Sequence, residues 1–205
     1  MPTVQYPSGG RMSACVPSVV SLAGSRTDRA LPSNSCFANL HVGDSIELKG
    51  PLGSFEWMGK GTANWRGIHR RFRNVGMVCG GSGVTPILQV LRGILDDAED
   101  VETRVWLLDG NRTGADILCR DDLDAYLGAH AERYKLHHTL SLPPDDWPTH
   151  YSRGRIDLEM MRAHLPPPGD ESVVLLCGPD TLLDLTVKPG LAALGWDLAS
   201  QVVCF

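Results

Sequence analysis

The rhythm of apolar and polar positions changes near residue 75. Upstream, apolar residues come in short, irregular clusters. Leu40 to Lys49 (LHVGDSIELK) predicts a turn and a strand, Gly50 to Gly53 a turn, and Phe55–Met58 another short strand. Val16 to Cys36 is rich in Ser, Arg and Pro and has no period, so it reads as loop or disorder. From Val75 onward, apolar runs of strand length alternate with stretches of helical spacing. Val75–Cys79, Arg104–Leu108, Tyr134–Leu140, Ser172–Cys177 and Gln201–Phe205 predict strands. Helices are expected after Pro86, over Ala115–Ala129, over Asp157–Leu165 and over Thr181–Leu194, the last interrupted by Pro189. Pro166–Pro168 stop the third of these.

Such alternation predicts an α/β fold with a parallel sheet and helices on both faces. Ligands in such sheets bind beyond the carboxyl ends of the strands. Two segments expected there carry chemistry. The first is Gly80, Gly81, Ser82, Gly83 and Thr85, followed by a helix with Pro86 at its first position and Ile87, Leu88, Val90, Leu91, Ile94 and Leu95 on its apolar face. Amide groups at a helix start favour a bound phosphate, and glycines let the backbone approach it. The loop departs from G-x-G-x-x-G because Pro86 stands in place of the last glycine, so it predicts a variant of that nucleotide site. A bare strand-to-helix turn is the simpler reading of the same letters. The second segment is Cys177–Gly178–Pro179–Asp180.

Asp109, Arg112 and Asp116 follow the second predicted strand of this region. A carboxylate there suits a ribose 2′-hydroxyl and an arginine a 2′-phosphate, so NADH and NADPH both stay open. Tyr6 to Ser13 (YPSGGRMS) reads either as a second phosphate-gripping turn or as an ordinary surface turn. Arg66, Arg70, Arg71 and Arg73 crowd one short segment, expected to be a solvated connector or a docking patch for an acidic partner.

The 205 residues suit one large domain or two small ones, and 42% hydrophobic content with a net charge of −5 suits a soluble globular protein that does not bind nucleic acid. No apolar run is long enough to span a bilayer, and the N-terminus lacks signal-peptide character. Six cysteines, at 15, 36, 79, 119, 177 and 204, include no C-x-x-C pair. Reduced thiols, no zinc and a cytoplasmic location are the expectation.

Five motifs and the terminal residue point further. GGRMS, GDSIELKGPLG, GMVCGGSGVTPILQVLR, DGNRTGADILCRDDLDAY and LLCGPD, with Phe205 at the end, resemble the cytochrome b5 reductase family. Within it they are most similar to the C-terminal flavin and pyridine-nucleotide part of assimilatory nitrate reductase, fungal forms especially. The resemblance covers Tyr6 to Ser13 and nearly everything after Leu40. It implies an oxidoreductase passing a hydride from NADH or NADPH to FAD, and electrons on to a haem (cytochrome b5-like) domain. It implies that Gly9, Gly10, Arg11, Met12 and Ser13 bind the FAD pyrophosphate, that Thr85 approaches the flavin ring, and that Gly80, Gly81, Ser82 and Gly83 line the nucleotide phosphates. Cys177, Gly178 and Pro179 would border the nicotinamide. Cys177 would position it rather than act as a nucleophile, and Phe205 would lie at the flavin–nicotinamide contact.

The implied organisation is a partial antiparallel flavin-binding barrel over 1–65, a basic linker over 66–74 and a nucleotide-binding domain over 75–205. The family's R-x-Y-[ST] flavin stretch is expected upstream of Tyr6, along with earlier barrel strands and any dimer contacts. Removing 16–36 leaves GGRMSACFANLHVGD, which has the family's spacing, so that segment is expected to be an insert from translated intron or a gene-model error. Two other functions fit the same letters: a free-standing cytochrome b5 reductase, and a nucleotide-binding module without flavin or catalysis.

Overall fold

The computed structural model describes residues 53–205. The GGRMS turn, the 16–36 insert and the predicted strand over 40–49 lie outside the described residues. Two sheets make up the described part. The larger has six strands, all parallel, in the order β7-β6-β5-β4-β8-β9. These are β4 (Asn74–Gly80), β5 (Arg104–Asn111), β6 (Tyr134–Leu140), β7 (Ser152–Arg153), β8 (Ser172–Cys177) and β9 (Val202–Cys204).

β4 shows why the sheet must be covered twice. Its residues from Val75 to Gly80 are all buried. Val75, Met77 and Cys79 point to one core and Val78 to the other. A strand apolar on both faces needs packing on both, as parallel sheets do. α1 (Val84–Leu95) covers the first face, burying Ile87, Leu91 and Ile94 completely. α3 (Leu158–His164) and the helical run 180–193, here α4, cover the second. Burying one such Leu or Ile contributes about 2–3 kcal/mol, so loss of either helical layer would unfold the sheet. The chain steps outward from β4 through β5, β6 and β7, then returns to β8 on the other side of β4. The reversal opens a crevice at the carboxyl end of β4.

The smaller sheet is an antiparallel meander of β1 (Phe55–Gly59), β2 (Thr62–Trp65) and β3 (Ile68–Arg71). The turn between β2 and β3 has Arg66 and Gly67 both at positive φ, 54° and 81°, as a two-residue hairpin with right-handed twist requires. Phe55, Trp57, Ala63, Trp65 and Phe72 join the first core beneath α1.

Four expectations need correcting. The basic segment 66–74 is not a connector, because Ile68–Arg71 pairs with β2 as a full strand. Nor is it an open cationic patch. Arg71 pairs with Glu102 at 2.7 Å and Arg73 with Glu171 at 3.1 Å, while Arg70 lies over Trp65 and Phe72 and donates to the Ser200 carbonyl. The helix expected over Ala115–Ala129 is shorter. Thr113 and Asp116 close a capping box around a 3-10 turn (Gly114–Asp116), Ile117 is extended, Cys119 is left-handed, and α2 covers only Arg120–Ala129. Ile117 leaves helical geometry to bury itself against Leu140 and Trp147. Pro86 is the third residue of α1 rather than the first, which costs no internal bond because the first turn's N–H groups have no helical partner. Pro189 does not interrupt α4. A π turn (Leu183–Val187) widens the helix just before it, and the Lys188 N–H reaches back to the Leu183 carbonyl.

Candidate functional site

The crevice is built by two loops pressed together. β4 ends at Gly80, and Gly81–Gly83 form a single 3-10 turn leading into α1. β8 ends at Cys177, and Gly178–Pro179 lead into α4. A Cβ on Gly83 would stand 2.2 Å from the Cys177 carbonyl oxygen, so only glycine allows the contact. Gly81 has φ +56° and nothing within 4 Å of where its Cβ would be. Neither the turn nor α1 has a side-chain cap or an acidic residue in its first turn. The amide dipoles at this end of α1 are therefore not neutralised by the protein, and they favour an anion. Thr85 is exposed, and its hydroxyl donates to the Ser82 carbonyl at 3.0 Å.

A cavity of about 500 Å³ lies over these loops. Gly80, Gly81, Arg112, Asp116 and Pro179, all expected from the sequence, line it together with Asn111 and Leu118. A second cavity of about 350 Å³ shares Gly110, Asn111, Pro179 and Leu182 with it and continues toward β6 and α4. Both volumes are in the range of small-molecule sites. A third, of about 200 Å³, lies at the opposite end of the sheet among Lys60, Arg73 and Thr103.

Asp116 accepts from both the Thr113 hydroxyl (2.7 Å) and the Thr113 N–H (2.9 Å) through one oxygen, Oδ2. The Thr113 hydroxyl bond chiefly, then the backbone bond and nearby Arg112, hold its carboxyl below the usual range. It is ionised at neutral pH, with Oδ1 free of those bonds.

Asp109 is not where the sequence reading put it. It is 1% exposed and absent from the walls of both cavities that Asn111 lines. Its register partners are Cys79 on β4 and His138 on β6, so strand alternation turns it into the sheet face. Its carboxylate accepts from Cys79 Sγ (3.2 Å), Asn111 Nδ2 (2.8 Å) and His138 Nδ1 (2.9 Å). With Nδ1–H donated there, the His138 Nε2 is the nitrogen that finds no partner among the described residues. Asp109 is therefore an internal brace for Asn111 and not a ribose ligand.

Cys177 and Phe205 are partly buried and pack on the same core as α1. The Phe205 N–H donates to the Leu176 carbonyl at 3.0 Å, and its ring meets Phe55 edge-on at 6.0 Å between centroids. The terminal residue thus bridges the two sheets. Burial pushes the Cys177 thiol up, so it is neutral at pH 7 and unsuited to nucleophilic work. Gly9 to Ser13 are outside the described residues. Sequence reading missed Arg155, Ser141, Thr181 and Thr186, which line the second cavity. Arg155 stands 45 residues after Gly110, and the only signal was SRGR following a predicted strand.

Residues 77–188 match the family model described as the oxidoreductase NAD-binding domain. The chain is 37% identical over 198 residues to NADH-cytochrome b5 reductase 1 of Bos taurus, covering 94% of this chain and 57% of that protein. It is 42% identical over 173 residues to the NADPH nitrate reductase of Leptosphaeria maculans, covering 84% of this chain and 18% of that protein. Among solved structures, the cytochrome b5 reductase domain of Ulva prolifera nitrate reductase superposes with a TM-score of 0.77 at 33% identity, covering 83% of this chain and 62% of that one. The chain thus spans little more than half of the reductase it matches and under a fifth of the nitrate reductase. The family match takes in the carboxyl end of β4, the Gly81 turn, the outward steps and β8. By that match, this chain belongs to the oxidoreductase NAD-binding domain family.

Proposed function

We propose that the chain is the pyridine-nucleotide half of a flavin oxidoreductase, which takes a hydride from NADH or NADPH to FAD and sends electrons to a haem domain of cytochrome b5 type, as in nitrate reductase. The observation that carries this is the uncapped Gly81–Gly83 turn facing a cavity of about 500 Å³ at the strand-order reversal. In this reading the turn's amides and the α1 dipole bind the pyrophosphate. Asp116 and Arg112 meet the adenosine ribose. Gly178 and Pro179 border the nicotinamide, and Cys177 beneath them sets its depth. Thr85 and Phe205 flank the flavin side, and Gly9 to Ser13 would hold the FAD pyrophosphate. FAD held there would supply the hydride-accepting and single-electron chemistry, and the protein's own part would be to position the nicotinamide against it.

A division between a flavin half that runs through β3 and the nucleotide domain starting at 75 belongs to the same proposal, as do a cytoplasmic location and pairing with a second copy. No helix among the described residues is long and apolar enough to cross a membrane. The test is the purified chain with added FAD, assayed for ferricyanide reduction by NADH and by NADPH. Reduction dependent on both flavin and nucleotide supports the proposal. Nucleotide uptake without reduction at saturating FAD would make it a binding module instead.

A further inference from the structure

The small sheet reaches the end of the crevice through one aromatic pair. Phe55 opens β1 and is 2% exposed. Its ring meets that of Phe205 edge-on, with 6.0 Å between centroids and 83° between planes. Strand register brings Phe205 to the crevice. Cys204 stands opposite Leu176 in the parallel β8–β9 pair, and the Phe205 N–H donates to the Leu176 carbonyl at 3.0 Å. One step further along both strands puts Cys177 and Phe205 side by side at the carboxyl ends. Both are partly buried on the core that α1 covers. Cys177 is also the residue whose carbonyl meets Gly83 at the head of that helix.

β9 has three residues, and β8 is its only strand neighbour among the described residues. The backbone therefore fixes where Phe205 starts, while its ring turns about two side-chain bonds and settles against its neighbours. Phe55 is its one aromatic neighbour among the described residues. Phe55 is itself held firmly. It pairs with Trp65 across the meander, and the Arg66 N–H donates to the Ser54 carbonyl at 2.7 Å. Arg70 lies over Trp65 and Phe72 and donates to the Ser200 carbonyl, just upstream of β9. The meander thus holds β9 at both ends, with Arg70 at its entry and Phe55 at its exit.

We infer that Phe55 is a positioning residue. It sets the Phe205 ring beside Cys177 and so shapes the nicotinamide end of the crevice. This rests on the nicotinamide lying at Cys177–Pro179, as proposed above. At 2% exposure Phe55 has no surface to offer a ligand, so its effect passes through Phe205. An edge-on pair of phenyl rings has a preferred geometry that an aliphatic side chain does not impose.

The test is calorimetry on the whole chain with NADH and with ADP-ribose, which lacks the nicotinamide. The ratio of the two affinities isolates the nicotinamide end. Phe55→Leu and Phe55→Met each keep an apolar side chain in the core, and both are read below their melting midpoints. Either should weaken NADH binding about three- to tenfold, the worth of an edge-on ring pair, and leave ADP-ribose binding unchanged. Phe205→Leu should weaken NADH at least as much, and adding Phe55→Leu to it should change nothing further. NADH and ADP-ribose binding equally in the parent chain, a ratio unchanged in both Phe55 variants, equal losses for the two ligands, or effects at the two positions that add would each overturn the inference and leave the dinucleotide reading standing. Uptake of neither ligand by the parent chain removes that reading as well.

Discussion

Gly83 and Cys177 touch through their backbones: the Cα hydrogen of one points at the carbonyl oxygen of the other, where a Cβ would come to 2.2 Å. This contact locks the two loops that shape the crevice. Gly83→Ala should therefore cost at least ~2 kcal/mol, because backbone rather than a movable side chain is in the way. It should also weaken nucleotide binding. Gly81→Ala should cost only about 1–2 kcal/mol, from its positive φ alone. Denaturant midpoints of both variants check the ordering; equal midpoints would show that the loops are not wedged together.

Asp109 supplies the second prediction. Three donors converge on its buried carboxylate. Asn in its place points an amide N–H₂ at donors, which should destabilise the fold by about 2–4 kcal/mol. Because Asp109 stands behind Asn111 and not in the cleft, folded Asp109→Asn should lose less NADH affinity than Asp116→Ala. Thermal melts and titrations separate the two effects. A stable Asp109→Asn that cannot bind nucleotide would restore the ribose role.

His137 and His164 give a pH dependence. Their rings stack at 3.4 Å between β6 and α3, and the His137 Nε2 sits 2.8 Å from the Ser152 hydroxyl. Burial first, then neighbouring His164, His138 and His150, push the His137 pKa from 6.5 down to about 4. Burial lowers His164 as well. The unfolded chain takes up a proton near pH 6.5 that the folded chain refuses until about pH 4. Stability should be full above pH 6.5 and fall as the pH drops through that window. In His137→Phe, which keeps a stacked ring, the fall between pH 7 and pH 5 should shrink. An unchanged pH profile would mean His137 is not the group responsible.

The fourth prediction concerns Cys177. Its raised pKa leaves a thiol at neutral pH, so its contribution is shape. Cys177→Ser should lower NAD(P)H-dependent turnover far more than nucleotide affinity, because a misplaced nicotinamide harms hydride transfer first. Stopped-flow reduction alongside titration measures both, and unchanged turnover would remove Cys177 from the site.

The sheet was legible in the sequence wherever both faces of a strand are apolar. The β4 and β8 runs have no other stable place than the middle of a covered sheet. The glycine turn was legible because closely spaced glycines between a strand and a helix have few other uses. Strand β2 was not, since TANW is four residues long and only Ala63 and Trp65 are buried. Asp109 was misplaced by depth along the strand: it shares a face with Asn111, but Asn111 and Arg112 stand at the strand end and reach the cleft, while Asp109 lies two residues deeper between Cys79 and His138. Arg155 was invisible because β6 and β7 pair only at two positions, through a connection without regular pattern. The break at Ile117 was hidden because its apolar spacing continues through a segment that tertiary burial pulls out of helix.

The central claim is that the Gly81–Gly83 amides at the head of α1 hold a dinucleotide pyrophosphate. Isothermal titration of the folded chain with NADH and with NADPH tests it most directly. The account predicts saturable uptake of one dinucleotide per chain, weakened by Asp116→Ala or Arg112→Ala. A well-folded sample that takes up neither would contradict it.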